Sequence, residues 1–536
     1  MRLLILMCAV SSLSIAQADR IEGERIRPHV KFLSSDLLEG RGPGARGGLL
    51  AQAYIAAQFA ASGLKPAGDD GTYIQKVPLK LVEPVGAKAQ LGFSAAGGDV
   101  EFKWLDDFIG TTHQQRPTVK FEAEAVFVGH GIRAPEFDWD DYKGVDVKGK
   151  VVVLFTGEPP SDDPKFFAGK ALTYYGRWTY KYEEAARQGA LGALIIHTTP
   201  TASYGWQVVR GQSRPMPQVE HVPGTPALAL AGWLTSEAGA KLLATLHLNL
   251  DSALEAANKR GFQAQALGAK VRANMEFLVS NIDTGNVVGM VPGSDPKLKE
   301  QAVIFTAHWD HLGIGVPVNG DAIYNGALDN ATGSAMLIEM ARAWASMEPK
   351  PKRSAYFAAV TSEESGLLGS TYLAGHAPVP VGQIAANLNF DSFAPFGKTS
   401  DAGAQGAERT TLWDLVQQEA KDASLTLRGD THPEAGGYYR SDHFSFARAG
   451  IPAFSISMGG KYVARPAAFT PERMRAFGAS YHQPSDEYQE DWDCSGMEQF
   501  ARFGLTLGVR IANQDTLPTW QKGDEFLAAR EQSGVQ

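Results

Sequence analysis

Residues 354–370 read SAYFAAVTSEESGLLGS. A short apolar run, Tyr356–Val360, gives way to two adjacent carboxylates, Glu363 and Glu364, and then to a glycine-rich turn. Apolar runs of this length, bounded by turn residues, read as buried strands. Similar runs recur as AVIFTA (302–307), AANLNF (385–390) and IPAFSIS (451–457). Helical segments lie between them, such as Gly333 to Ser346, where Leu337, Ala341 and Trp344 share a face. Strand and helix in alternation predict an α/β fold with a mostly parallel-centred sheet flanked by helices. Sheets of this kind bind ligands beyond the carboxyl ends of their strands.

Those ends carry the chemistry. His308 and Asp310 follow the first run, Glu363 and Glu364 the second, and Asp391 the third. Asp329 stands before a helix in NGALDNATGSA, and His482 lies in the late loop SYHQPSDEY. Imidazole and carboxylate donors suit zinc. An oxygen-rich set without cysteine favours a pair of metals over one structural zinc, with cobalt or manganese as possible substitutes. On an extended chain His308 and Asp310 point the same way, so Asp310 is expected to orient the His308 imidazole. Neighbouring strand residues point to opposite sides, which would let one of Glu363 and Glu364 bind metal and the other act as a base. Two carboxylates ~4 Å apart repel by roughly 1 kcal/mol in water and several times more near a protein surface. Divalent cations would outweigh that repulsion.

The remainder sets the frame. A chain of 536 residues is expected to form two or more domains. A hydrophobic fraction of 44% and a net charge of -9 fit a globular protein and give no support to nucleic-acid binding. Residues 1–18 read as an export signal, with Arg2, an apolar core and Ala16-Gln17-Ala18 at the cut, which predicts a bacterial periplasmic or extracellular protein. No later stretch is apolar for long enough to insert stably in a bilayer. After the cut only Cys494 remains, so no internal disulfide forms, and it is expected to be a small buried hydrophobe. Residues 19–121 are read as the N-terminal part of the domain that carries the metal donors, with helices expected over 25–38 (Ile26, Val30, Leu33 and Leu37 on one face) and 49–61. Gly42, Gly44 and Gly47 between them match G-x-G-x-x-G without the required preceding strand, and read as a structural turn. Residues 122–270 change to short β-rich runs and are read as an inserted domain; 271–536 carry the metal donors. No G-x-S-x-G elbow supports a serine hydrolase, and Ser441 lacks the surroundings of one. His311 and His443 are expected to be packed histidines, and Asp442 a supporting residue.

Read together and in order, HWDHLG, GALDNATGSA, TSEESGLLGS, NFDSF, YYRSDHFSFARAGIP and HQPSDEY resemble metallopeptidase family 28, the di-zinc exopeptidases. The N-terminal HVKFLSSDLLEGRGPGARGG is similar to secreted members, and the β-rich insert to their protease-associated domain. The resemblance implies the zinc exopeptidase fold and two Zn2+ per chain. One would be held by His308, Asp329 and Asp391, the other by Asp329, Glu364 and His482. Glu363 then matches the general base and Asp310 the carboxylate behind His308. Tyr438 or Tyr439 would hydrogen-bond the oxyanion. The implied activity is hydrolysis of peptides or proteins from the N-terminus. A carboxypeptidase of the same family, with Arg440 as the cation for the substrate carboxylate, stays open. So do a non-catalytic binding protein on this scaffold and a single-zinc enzyme of the glutaminyl cyclase type. Nothing in the sequence indicates side-chain preference or oligomeric state.

Overall fold

The computed structural model describes residues 20–534 except 97, 245–246 and 467–468. The export signal read in residues 1–18 lies outside the described residues. The chain divides into two compact units. The first takes in Met1–Val77, Asp283–Thr431 and Arg440–Gln536; the second Pro78–Ile282 and His432–Tyr439.

The first unit contains the four expected strands and two more, Gly285–Val291 and Asp401–Gln405, that the sequence reading did not single out. In chain order these are β1 (Gly285–Val291), β2 (Ala302–His308), β3 (Ser354–Val360), β4 (Ile384–Phe390), β5 (Asp401–Gln405) and β6 (Ala453–Met458). They lie in the order β1-β3-β2-β4-β6-β5. The pairs β3/β2, β2/β4 and β4/β6 are parallel, with antiparallel β1 and β5 flanking them. Every residue of β2, β3 and β4 is buried, as expected of strands covered on both faces. Phe305 and Phe357 stack between neighbouring strands at 4.9 Å.

Helices α1 (Gly23–Leu33), α2 (Arg46–Ala61), α3 (Thr332–Ala345), α4 (His443–Arg448) and α5 (Ser495–Asn513) belong to this unit. α5 lies close to the sheet because Gly508 leaves room for the Phe305 ring, which an added Cβ would meet at 2.3 Å. Ile26, Val30 and Leu33 of α1 are fully buried, as their spacing predicts. Leu37 is not on that face: the helix stops at Leu33, the chain turns through Glu39 and Gly40 at positive φ, and Leu37 is left 71% exposed.

The second unit is wider than the 122–270 read from the sequence. Strand Gln265–Asn281 runs past that limit and pairs with Thr118–Phe127, Gln90–Ala95 and Leu79–Pro84, drawing the segment from Pro78 into one sheet. Thr118–Phe127, Val151–Phe155, Gly192–Ile196 and Leu230–Leu234 are parallel neighbours in it. A helix in this unit spans Trp178–Arg187.

His130 is buried in this unit, its ring nitrogens 3.1 Å from the Thr156 carbonyl and 2.8 Å from Asn258 Oδ1. Burial, helped by the Lys181 charge, pushes its pKa from 6.5 down to about 4. Between those values the unfolded chain binds a proton that the folded unit refuses, so stability falls as pH drops through that window. The full loss is about 3 kcal/mol. Thermal melts between pH 4 and 7 are expected to show a shallower acid loss for His130→Gln than for wild type; equal slopes would refute this role.

Candidate metal centre

β2, β3 and β4 end side by side, and each hands a polar residue to the same rim. β2 ends on His308 itself, and the Trp309 amide donates to the Val360 carbonyl at the end of β3 (3.0 Å). Beyond Val360, Ser362 takes φ +55° and Glu363–Ser365 form a single tight turn. Glu363 and Glu364 therefore leave a turn and not a strand, and strand alternation does not set their directions. Asp391 follows the last residue of β4. Asp329 lies in the loop before α3, where its amide and that of Leu328 donate to the Asp486 carboxylate at 3.1 and 2.8 Å.

These residues converge. His308 Nε2 lies 3.2 Å from Asp329 Oδ1, 3.3 Å from Asp391 Oδ1 and 4.0 Å from Glu363 Oε2. His482 Nε2 lies 3.3 Å from Asp329 Oδ2 and 2.9 Å from Glu364 Oε2. Asp329 thus presents one oxygen to each imidazole. Donor atoms of His308, Asp329 and Asp391 fall within 4.8 Å of one another, as do those of His308, Glu363 and Glu364.

The electrostatics show what this donor set requires. Burial, with Glu364 and Asp391 adding repulsion, drives the Glu363 carboxyl well above its usual range, although His308 opposes it. Burial likewise raises Asp310 to about 7. Burial would also depress the imidazoles, but Glu363, Asp391 and Asp329 reverse this at His308 and hold its pKa well above 6.5. Glu364 and Asp329 do the same at His482, raising it to about 9. Protons on imidazole therefore stand in for positive charge that the carboxylates demand. The oxygen-rich, cysteine-free set fits divalent cations on the same grounds.

Several details differ from the sequence reading. The hydrogen bond of His308 Nδ1 goes to the Asp310 backbone carbonyl (3.1 Å), with the Asp310 carboxylate 3.9 Å away. That carboxylate instead accepts the Glu363 amide (3.2 Å). The extended-chain expectation does not hold because β2 ends at His308 and Asp310 lies beyond it. Tyr438 and Tyr439 fold with the second unit, where the Tyr439 ring lies 6.3 Å from Tyr174. The tyrosine in the field of the cluster is Tyr481. Its ring stacks on His482 at 3.9 Å with about half of the residue still exposed, and desolvation of the phenol followed by the Asp329, Glu364 and Glu363 charges moves its pKa upward, against the pull of Arg440. Tyr481 precedes a proposed ligand, and that adjacency was the available signal.

Supporting residues escaped the sequence reading because their partners are backbone atoms or distant in sequence. Ser441 donates to Asp391 Oδ2 (2.7 Å) and accepts from Asn389 (2.8 Å). Asn330 is fully buried and donates to the Phe390 carbonyl. Fully buried Arg41 donates to the carbonyls of Trp309 (2.7 Å), Leu33 (2.6 Å), Asn325 (2.5 Å) and Gly326 (2.9 Å). It joins the N-terminal segment to the loops that carry His308 and Asp329. Gly40 before it has φ +69°, and a Cβ there would stand 2.4 Å from the Tyr324 carbonyl.

Residues 286–506 match the family model Peptidase family M28. This region belongs to peptidase family M28. An aminopeptidase of Pseudomonas aeruginosa is 31% identical over 265 residues, 47% of this chain and 45% of the relative. A probable zinc metalloprotease of Pyrenophora tritici-repentis is 26% identical over 238 residues, 37% of this chain and 48% of the relative. The chain thus spans about half the length of the curated relatives it matches. The solved aminopeptidase from Aneurinibacillus sp. strain AM-1 shares the fold, with a TM-score of 0.55 at 19% identity over 95% of this chain and 98% of that one. No helix among the described residues is long and apolar enough to cross a membrane.

Removing the Arg41 guanidinium leaves buried carbonyls without donors, each costing about 1–3 kcal/mol. Urea unfolding is expected to show Arg41→Met destabilised by about 3 kcal/mol or more, with Arg41→Lys in between. An Arg41→Met variant as stable as wild type would remove the clamp role.

Proposed function

We propose that the protein is a zinc-dependent exopeptidase that releases N-terminal residues from peptides. The observation that carries this reading is the Asp329 carboxylate, which offers one oxygen to His308 and the other to His482 while Glu363 stands beside it. Membership of residues 286–506 in family M28 supports it, as do the aminopeptidase and metalloprotease relatives. His308, Asp329 and Asp391 would hold one ion; Asp329, Glu364 and His482 the other. A bound zinc pair supplies Lewis acidity toward a substrate carbonyl and lowers the pKa of water.

The protein's own groups do the rest. Glu363 takes the proton of the attacking water and returns it to the departing amine. The Asp310 carboxylate fixes Glu363 by accepting its amide hydrogen. Ser441 orients Asp391. The Tyr481 hydroxyl, protonated at neutral pH like any tyrosine, can donate to the carbonyl oxygen as it gains charge. The second unit is read as a protease-associated-like insert and residues 1–18 as an export signal, a reading that favours a periplasmic or extracellular enzyme.

Aminoacyl p-nitroanilides, with peptides blocked at either end, provide the test. Wild type is expected to cleave N-terminally free substrates and to lose activity to a chelator, recovering it on zinc addition. Glu363→Gln is expected to keep its zinc and lose about 10²–10⁴-fold in kcat. Full activity in the stripped protein and in the variant would overturn the reading. Cleavage only of N-terminally blocked, C-terminally free peptides would replace it with a carboxypeptidase.

A further inference from the structure

His311 has no part in the reaction as described, yet its side chain is fully buried against the cluster. Its Nδ1 lies 2.7 Å from Glu364 Oε1, while the other oxygen of the same carboxylate, Oε2, lies 2.9 Å from His482 Nε2. At 2.7 Å the pair is in contact but not in hydrogen-bond alignment, and His311 Nδ1, His311 Nε2 and Glu364 Oε1 are all buried without a hydrogen-bond partner among the described residues. The two imidazoles are edge to face, 5.7 Å apart at 76°, so they address opposite oxygens of Glu364 from different directions. The His311 ring cannot drift away. Gly326 at φ +56° lies so close that a Cβ there would stand 2.4 Å from it, and the His311 amide donates to the Arg41 carbonyl at 3.4 Å.

We propose that His311 is a positioning residue for the second cation: it holds the outer oxygen of Glu364, so that only Oε2 faces the ion shared with His482 and Asp329. The proposal rests on the two-cation reading above. A glutamate ligand can swing between one-oxygen and two-oxygen coordination, and a donor fixed on the outer oxygen removes that freedom. Groups that orient ligands in this way typically contribute 10–100-fold to metal affinity. Donor atoms of His311, Asp329 and Glu364 also lie within 4.8 Å of one another, so direct ligation by His311 is the competing assignment.

Zinc titration separates these cases without relying on activity. Wild type, His311→Ala and His311→Gln are equilibrated against zinc buffers of known free concentration. Bound zinc per chain is measured by elemental analysis, and folding is followed by circular dichroism. Wild type is expected to bind two ions. His311→Ala is expected to bind the first unchanged and the second 10–100-fold more weakly. His311→Gln, which keeps a donor for Oε1, is expected to recover most of that loss. If the alanine variant does not fold, His311→Met fills the space without a donor and takes its place. Unchanged affinity for the second ion in the donor-free variants would overturn the proposal. So would a glutamine variant as weak as alanine, which would make the imidazole itself a ligand. Wild type that binds fewer than two ions would overturn the two-cation reading and this proposal with it.

Discussion

Crowding of negative charge at the ends of three buried strands is the constraint to which the first unit answers. Glu364 acts there on Asp310, Asp329, Glu363 and Asp442, and Asp391 and Asp442 add to the repulsion at Glu363. Near a protein surface a pair of such charges ~4 Å apart costs about 4 kcal/mol, far more than one hydrogen bond returns. The carboxylates persist together only if positive charge is present. His308 and His482 meet part of the demand, which is why their pKa values rise despite burial. Divalent cations meet it more fully, and Asp329, facing both imidazoles, occupies the position where two ions would share a ligand.

Holding the donors in place is a backbone problem. His308 is fixed because it is still in β2, and Asp391 because it directly follows β4. Asp329 has no such strand behind it. Its loop is pinned from one side by the Asp486 carboxylate on two amides and from the other by Arg41 on two carbonyls. Arg41 is buried, which lowers its pKa to about 10, but Asp486, Asp310, Asp329 and Glu364 oppose that loss, so the group stays charged at neutral pH. The guanidinium thus acts both as a four-carbonyl clamp and as a fixed positive charge behind the donors. The glycine-rich EGRGPG stretch is needed for this because Gly40 must pass against the Tyr324 and Gly313 carbonyls to deliver Arg41.

The sheet was legible in the sequence because its strands are short apolar runs that end abruptly in polar residues, and the same transitions exposed the donors. His308, Asp329, Glu363, Glu364, Asp391 and His482 do come together. Groups acting through backbone atoms were not legible: Arg41 resembles any arginine in a loop until its four carbonyls are located. Tyr438 and Tyr439 drew attention by lying near a motif, whereas Tyr481 is set by stacking on His482, which sequence spacing does not encode. The edges of the second unit were missed because strand Gln265–Asn281 pairs with segments nearly two hundred residues earlier, and composition does not report pairing.

The segment His432–Tyr439 joins the two units in a way no domain boundary in sequence suggests. The chain leaves the first unit at Thr431, folds with the second, and returns at Arg440. Within the second unit the Leu172 amide donates to the Pro433 carbonyl (2.9 Å), and Gly436 at φ +63° lies against the Leu172 side chain. One residue after the return, Ser441 holds Asp391. The backbone that carries Ser441, and with it the orientation of a proposed metal donor, therefore follows directly on a segment that folds with the second unit, a connection that sequence order alone does not reveal.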